Sequence, residues 1–227
     1  MKFTIHHKET TESTNNDARS GSHGDVFTAT EQTAGRGRIG HRWLSRPGDN
    51  LTFSAVLSVA GIPPEEAATL PLVAGLAVRR VAGGAIKWPN DVLVDGRKVA
   101  GILCERVGDN VICGIGLNVN QTSFPPEIAE RATSLRLLTG REQSVADVLE
   151  RVLAELSSLY EEWRRGGFAA VHHELAQHDA LRGRFVRIIQ TDTDPEPIAG
   201  VCDGIASDGS LSVAGVRIYA GEAHVLS

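Results

Sequence analysis

Cysteine is scarce and unpaired in this 227-residue chain. Cys104, Cys113 and Cys202 are odd in number and form no Cys-x-x-Cys pair, which argues against a disulfide framework or a cysteine-built zinc site and fits a reducing cytoplasm. In that compartment the glycosylation match Asn120-Gln121-Thr122 stays idle. Long apolar runs are missing as well. Met1-Lys2-Phe3-Thr4-Ile5 carries no apolar signal segment, and no run approaches the roughly 18 to 20 apolar residues that span a bilayer, so the expectation is a soluble protein without membrane contact. Positive charge is not in excess. A net charge of -5 and a pI near 5.9 argue against general binding to nucleic acid or a membrane surface, although local basic clusters can still bind phosphate. No GxxxxGK[ST] loop and no GxSxG elbow occur, which leaves P-loop phosphoryl transfer and the serine-hydrolase elbow unsupported. There is no internal repeat and no low-complexity tract.

With 41% apolar residues the chain can bury a real core as one medium domain, or as one domain with a small appendage. Strands are predicted at 3–7, 26–30, 51–59, 86–94, 97–107 and 111–119. The Asp95-Gly96 turn and the Gly108-Asp109-Asn110 connection make the last three adjacent and antiparallel. Glu12 to Asp17 is rich in N-cap formers and predicts a short helix. Pro63-Pro64 opens a helical stretch to about Val81, with a break or fresh start at Pro71. Residues 124–141 read as loop with one helical turn. Ser144 to Tyr160 is the clearest helix, one apolar stripe from Val145 to Tyr160 behind a Ser144/Asp147 capping box. A second helix covers 168–177. Beyond it, 184–190, 198–206, 211–213 and 216–219 are short strands separated by Asp-Pro, Asp-Gly and Ala-Gly turns, a small β-barrel of about 45 residues.

Glu31 to Trp43 packs three arginines and three glycines ahead of one indole. Its Gly35-Arg36-Gly37-Arg38-Ile39-Gly40 matches GxGxxG, yet His41-Arg42-Trp43-Leu44-Ser45-Arg46-Pro47 is no helix, so the dinucleotide reading fails on context. A mobile loop whose amides and guanidinium forks grip phosphate oxygens remains, beside the plainer reading of a solvated basic turn. Lysine is rare, four against nineteen arginines, and Lys87 and Lys98 straddle the Asp95-Gly96 hairpin. Its register pairs Leu93 with Lys98 and Asp91 with Ala100, placing Asp91 and Lys98 on one face as diagonal neighbours; a plain surface ion pair is the alternative. Gly114, Gly116 and Asn118 share one strand face, which marks close approach of a ligand or merely tight packing. His172-His173-Glu174 with His178 lacks the i, i+4 histidine spacing of a zinc helix, and these residues read as solvated surface.

Ser13-Thr14-Asn15, Gln32 to Trp43, Lys87-Trp88-Pro89-Asn90-Asp91, Lys98 to Leu103 and Gly114 to Asn118 occur in the order seen in biotin protein ligases, and the chain closely resembles that family over nearly its whole length. The resemblance implies an α+β fold, a mixed β-sheet flanked by helices of the class II synthetase-like kind, over residues 1–180, with a C-terminal SH3-like β domain over 181–227. It implies a monofunctional enzyme that activates biotin as biotinyl-5'-adenylate with ATP and transfers it to a lysine of a biotin carboxyl carrier domain. By resemblance Ser13, Thr14, Asn15, Gln32, Gly35, Arg36, Gly37, Arg38, Lys98, Gly101, Leu103, Gly114 and Gly116 bind biotin. Arg36, Arg38, Trp43, Lys87, Asn90, Asp91, Lys98 and Asn118 bind ATP or adenylate, with Trp43 against adenine. Lys98 is the principal catalytic cation, aided by Arg36, Arg38, Asn90 and Asp91; Asn90 and Asp91 assist at the phosphate or magnesium, or orient the incoming lysine. Magnesium travels mainly with ATP, near Asp91.

The family often has arginine where this chain has His41, and some members carry an N-terminal DNA-binding domain for which the strand at Phe3 leaves no room. No nucleic-acid partner is expected, and the chain reads as a cytoplasmic monomer or weak homodimer. The rivals are a lipoate or octanoate ligase of the same fold, a non-catalytic biotin-sensing module, and a DNA-binding repressor.

Overall fold

A computed structural model of the chain describes residues 1–190 and 198–226. Seven strands form the main sheet: β1 (Thr4–Thr11), β2 (Asp25–Gln32), β3 (Leu51–Ser58), β4 (Ala85–Lys87), β5 (Asp91–Val94), β6 (Arg97–Val107) and β7 (Asn110–Leu117). Their spatial order is β1-β2-β3-β7-β6-β5-β4. β1 runs parallel to β2 and every other pair is antiparallel, so the sheet is mixed.

Register decides what each face does. Across β3, β7 and β6, Phe53, Ile115 and Ile102 lie side by side, as do Ala55, Cys113 and Cys104. This apolar face belongs to the core beneath α3 (Leu70–Ala82) and α5 (Val145–Gly166). The opposite face aligns Ser54, Gly114 and Leu103, then Thr52, Gly116 and Gly101. It is covered by α1 (Thr14–Asp17) and the 31–43 segment rather than by a long helix, which leaves room for a site.

Helix ends follow their sequence signals. Ser144 Oγ accepts from the Asp147 amide at 3.2 Å at the start of α5. That helix runs on to Gly166, beyond the predicted Tyr160, because Trp163 extends the stripe; it is 1% exposed and donates Nε1–H to Thr69 Oγ1. Each aliphatic side chain that α5 buries stabilises by about 1.5–3 kcal/mol. Pro64 opens α2 (Pro64–Ala67) and Pro71 sits in the first turn of α3, the fresh start expected there. The single turn between 124 and 141 is α4 (Leu135–Thr139), and α6 (Phe168–Gln177) follows α5 after Gly167.

The predicted strand 86–94 is two strands, β4 and β5, interrupted at Trp88-Pro89-Asn90. Pro89 has no N–H to give a ladder, so the chain turns there. A bulge between Val92 and Leu93 keeps Leu93 opposite Lys98 but moves Asp91 opposite Gly101 instead of Ala100. Of the histidines read as solvated surface, His173 on α6 is exposed, but His172 on α6 and His178 just past its end are not simply solvated. His172 is half-buried and its Nε2–H meets the Ile205 carbonyl at 2.8 Å, while His178 is half-buried behind β4 and its backbone carbonyl accepts from the Ile86 amide.

The C-terminal unit is a five-stranded antiparallel sheet of β8 (Phe185–Ile189), β9 (Ile198–Ile205), β10 (Leu211–Val213), β11 (Val216–Ile218) and β12 (Glu222–Val225), ordered β11-β10-β9-β8-β12. It matches the small SH3-like appendage expected, with β12 added. The Asp194-Pro195 turn lies outside the described residues. Among the described residues no helix is long and apolar enough to cross a membrane.

Candidate active site

At one end of the open sheet face, α1 presents Ser13, Thr14 and Asn15, each no more than 4% exposed. Gln32, at the end of β2, accepts through Oε1 from the Thr14 amide at 2.8 Å and the Thr14 hydroxyl at 3.2 Å. Ser54 Oγ donates to Asn15 Oδ1 at 2.6 Å and lies 2.8 Å from Thr14 Oγ1. These are neutral donors and acceptors in a buried wall, suited to a neutral polar ring. The glycines keep that wall open: a Cβ on Gly114 would lie 2.1 Å from Asn15 Oδ1, and one on Gly116 would lie 2.3 Å from Trp43 Cε2.

The 31–43 segment is a short hairpin. Trp43 N–H donates to the Gly35 carbonyl and Gly37 N–H to the His41 carbonyl, while Ile39 (φ 49°) and Gly40 (φ 73°) make a two-residue turn closed by His41 N–H to Arg38 O. The hairpin turns its cations in two directions. Arg36 donates to Asn16 Oδ1 at 2.8 Å and to Glu105 at 3.2 Å, and Arg38 donates to Asn90 Oδ1 at 3.4 Å and to the Gly221 carbonyl at 3.3 Å.

Lys98 Nζ stands 2.6 Å from Asp91 Oδ1 and 6.0 Å from the centre of the Trp43 ring, so the diagonal pair read from the hairpin does meet. Asn90 is pinned from both sides: its amide N–H2 and its backbone carbonyl bond to Ile102 O and Ile102 N, each at 2.9 Å. Trp88 is buried between the second cavity and the C-terminal unit, with Nε1–H on the Gly209 carbonyl.

Two cavities result. One of about 140 Å³ is lined by Ser13, Thr14, Asn15, Gln32, Arg36, Gly37, Arg38, Lys98, Gly101, Leu103, Gly114 and Gly116 among others. A neighbour of about 520 Å³ is lined by Lys87, Trp88, Asn118, Phe124, Arg131 and others. Trp43, Asn90, Asp91, Lys98 and Glu222 line both. The sequence-predicted residues are thus brought together, with three differences of position. Gly35 lines neither cavity and instead closes the hairpin base, Arg36 and Arg38 line only the first, and the Trp43 indole lies over Gly116 and Gly101. Asn118 is buried at the rim of the second and donates to the Thr133 carbonyl.

Sequence reasoning missed Ser54, Glu105 and Glu222. Ser54 is one of three polar residues on β3, and nothing in the sequence alone says that this strand pairs with the Gly114 strand. Glu105 needed the β6–β7 register, and Glu222 belongs to β12, whose four residues give too little alternation.

The profile of the biotin/lipoate A/B protein ligase family matches residues 5–120. The bifunctional ligase/repressor BirA of Bacillus spizizenii is 37% identical over 161 residues, 65% of this chain and 49% of its own length. This chain therefore spans about half of that relative. The biotin--[acetyl-CoA-carboxylase] ligase of Paracoccus denitrificans is 34% identical over 204 residues, 82% of each chain. Among solved structures, the Aquifex aeolicus biotin protein ligase in complex with biotin and ATP superposes with a TM-score of 0.85 at 30% identity over 98% of both chains. On the site motifs, the matched profile and these relatives, the chain belongs to the biotin/lipoate A/B protein ligase family.

Proposed function

We propose that this chain is an ATP-dependent ligase that activates biotin as biotinyl-5'-adenylate and passes it to a lysine of a biotin carboxyl carrier domain. One observation carries the reading: a cavity with a neutral polar wall and a second, larger cavity meet at Lys98, Asp91 and Trp43. Two substrates can therefore react across a junction that holds a cation.

In the first step a biotin carboxylate oxygen attacks the α-phosphorus of ATP and pyrophosphate leaves. In the second, a carrier lysine amine attacks the biotinyl carbonyl carbon and AMP leaves, forming the amide. Both steps develop negative charge on phosphate or carboxyl oxygens, which a fixed ammonium stabilises as it forms. Lys98, held by Asp91, is that ammonium, and Arg36 and Arg38 on the hairpin supply forks for the carboxyl and phosphates. Among the described residues no three His, Cys, Asp or Glu gather as a metal cage. Magnesium fits instead as an ion bound chiefly by nucleotide phosphates and one carboxylate, with Asp91 the residue to hold it.

The lipoate alternative is disfavoured by the wall. A dithiolane would make no hydrogen bond to the acceptor capacity that Thr14, Asn15 and Ser54 keep beyond their mutual bonds, whereas a cyclic urea offers two donors and an acceptor. The test is pyrophosphate release from ATP with biotin or lipoate as co-substrate. Release with biotin alone is expected; release with lipoate alone, or with neither, overturns the assignment.

A further inference from the structure

Glu105 has no part in the chemistry above, yet two residues of the site, Asn15 and Arg36, and the neighbouring Arg19 converge on it. It sits on β6 opposite Ile112, with its side chain 23% exposed. Its Oε2 accepts from Asn15 Nδ2 at 2.6 Å and from Arg36 at 3.2 Å, and its Oε1 accepts from Arg19 at 3.0 Å. We infer that Glu105 is a positioning residue that sets which end of the Asn15 amide faces the ligand and anchors the arginine hairpin to the same wall. The inference rests on the biotin reading above and adds a residue to it.

The argument is one of donors and acceptors. A carboxylate only accepts, so the Asn15 group facing it must be the NH2. The second NH2 proton has the Leu103 carbonyl at 3.4 Å, also an acceptor. Asn15 Oδ1 is thereby turned the other way, toward Ser54 and over Gly114. Ser54 takes one lone pair and the other remains for a ligand N–H. A flipped amide would present N–H to N–H and reject a urea. Arg19 on the far oxygen fixes the carboxylate itself. Arg36 shares Oε2 with Asn15, and its second partner, Asn16 Oδ1, lies on α1 beside Asn15. One carboxylate thus ties the ligand-reading amide to the hairpin that closes the site.

Glu105→Gln is nearly isosteric and breaks the logic, since an amide can face Asn15 in either orientation. The experiment measures KM for biotin, KM for ATP and kcat by pyrophosphate release in wild type, Glu105→Gln, Asn15→Ala and the double variant, with biotin affinity by calorimetry. Leaving the Asn15 amide without its fixed acceptor is expected to raise biotin KM and Kd about 10- to 100-fold, while ATP KM, which feels Glu105 only through Arg36, rises clearly less than biotin KM. In the Asn15→Ala background the same change is expected to add less than about 3-fold, because the residue it positions is gone. If Glu105→Gln folds poorly, Glu105→Asp keeps the charge, shortens the reach to Asn15 and is expected to raise biotin KM in the same selective way. Equal losses for biotin and ATP, or full additivity with Asn15→Ala, overturn the inference. Wild type that neither binds biotin nor releases pyrophosphate with it would overturn the functional reading instead, a distinct outcome.

Discussion

Single atoms set the residue-scale expectations. A methyl at position 114 would lie 2.1 Å from Asn15 Oδ1, in an amide whose Oδ1 is held by Ser54 and whose Nδ2 is held by Glu105, so Gly114→Ala should abolish measurable biotin binding in calorimetry while the chain still unfolds cooperatively. Lys98→Ala removes the cation at the junction of the two cavities, and pyrophosphate release at saturating biotin and ATP should fall about 10²- to 10³-fold. A near-normal rate would move the charge-stabilising role to another group. Among the described residues Trp43 Nε1 is buried without a hydrogen-bond partner, and its indole covers the glycine floor. Biotin bound on that floor as proposed would displace it, so tryptophan emission should change on adding biotin to wild type and stay flat in Trp43→Phe, because Trp88 and Trp163 lie outside the first cavity at 3% and 1% exposure. The alternation of Gly114, Gly116 and Asn118 was legible before any coordinates, since period two needs only the strand. Ser54 and Glu105 were not, because which residues face one another across neighbouring strands depends on a pairing that sequence leaves free.

Elements follow their punctuation. Ser144 and Pro64 mark helix starts that the sequence announces, whereas the stop at Gly167 lies beyond the Tyr160 at which the predicted apolar stripe ends. The 86–94 segment misled because its apolar content outweighed Pro89, and the turn that Pro89 enforces is what carries Asn90 onto Ile102. Helix-to-helix ion pairs add modest support. Arg80 of α3 hydrogen-bonds Glu174 of α6 and holds that carboxyl below its ordinary 4.5. A carboxyl lowered in the folded state contributes stability above its unfolded pKa and loses it as pH falls through the folded value. Glu174→Gln should therefore flatten the decline of unfolding free energy below about pH 4.5, by no more than about 1 kcal/mol for a pair so open to solvent, read from denaturant melts across pH. An unchanged acid limb would mean that the pair forms equally in the unfolded chain.

At the scale of the whole molecule, the small C-terminal sheet is part of the site. Gly221 accepts from Arg38, and Glu222 lines both cavities with its carboxylate 3.7 Å from His41 Nε2. The hairpin thus bridges the two sheets, an arrangement not legible from β12's short sequence. An arginine at position 41 would fork onto Glu222 without depending on protonation, so His41→Arg should slow the release of bound adenylate; an unchanged off-rate would remove the hairpin-to-sheet contact from any role in retention. The central claim is that the junction at Lys98 joins biotin to a protein lysine. Incubating the chain with ATP, magnesium, biotin and a biotin carboxyl carrier domain, then weighing the carrier by mass spectrometry, tests it directly. The account predicts a gain of one biotinyl group that disappears when ATP is omitted or the carrier lysine is replaced; a carrier of unchanged mass, with pyrophosphate formed or not, would contradict it.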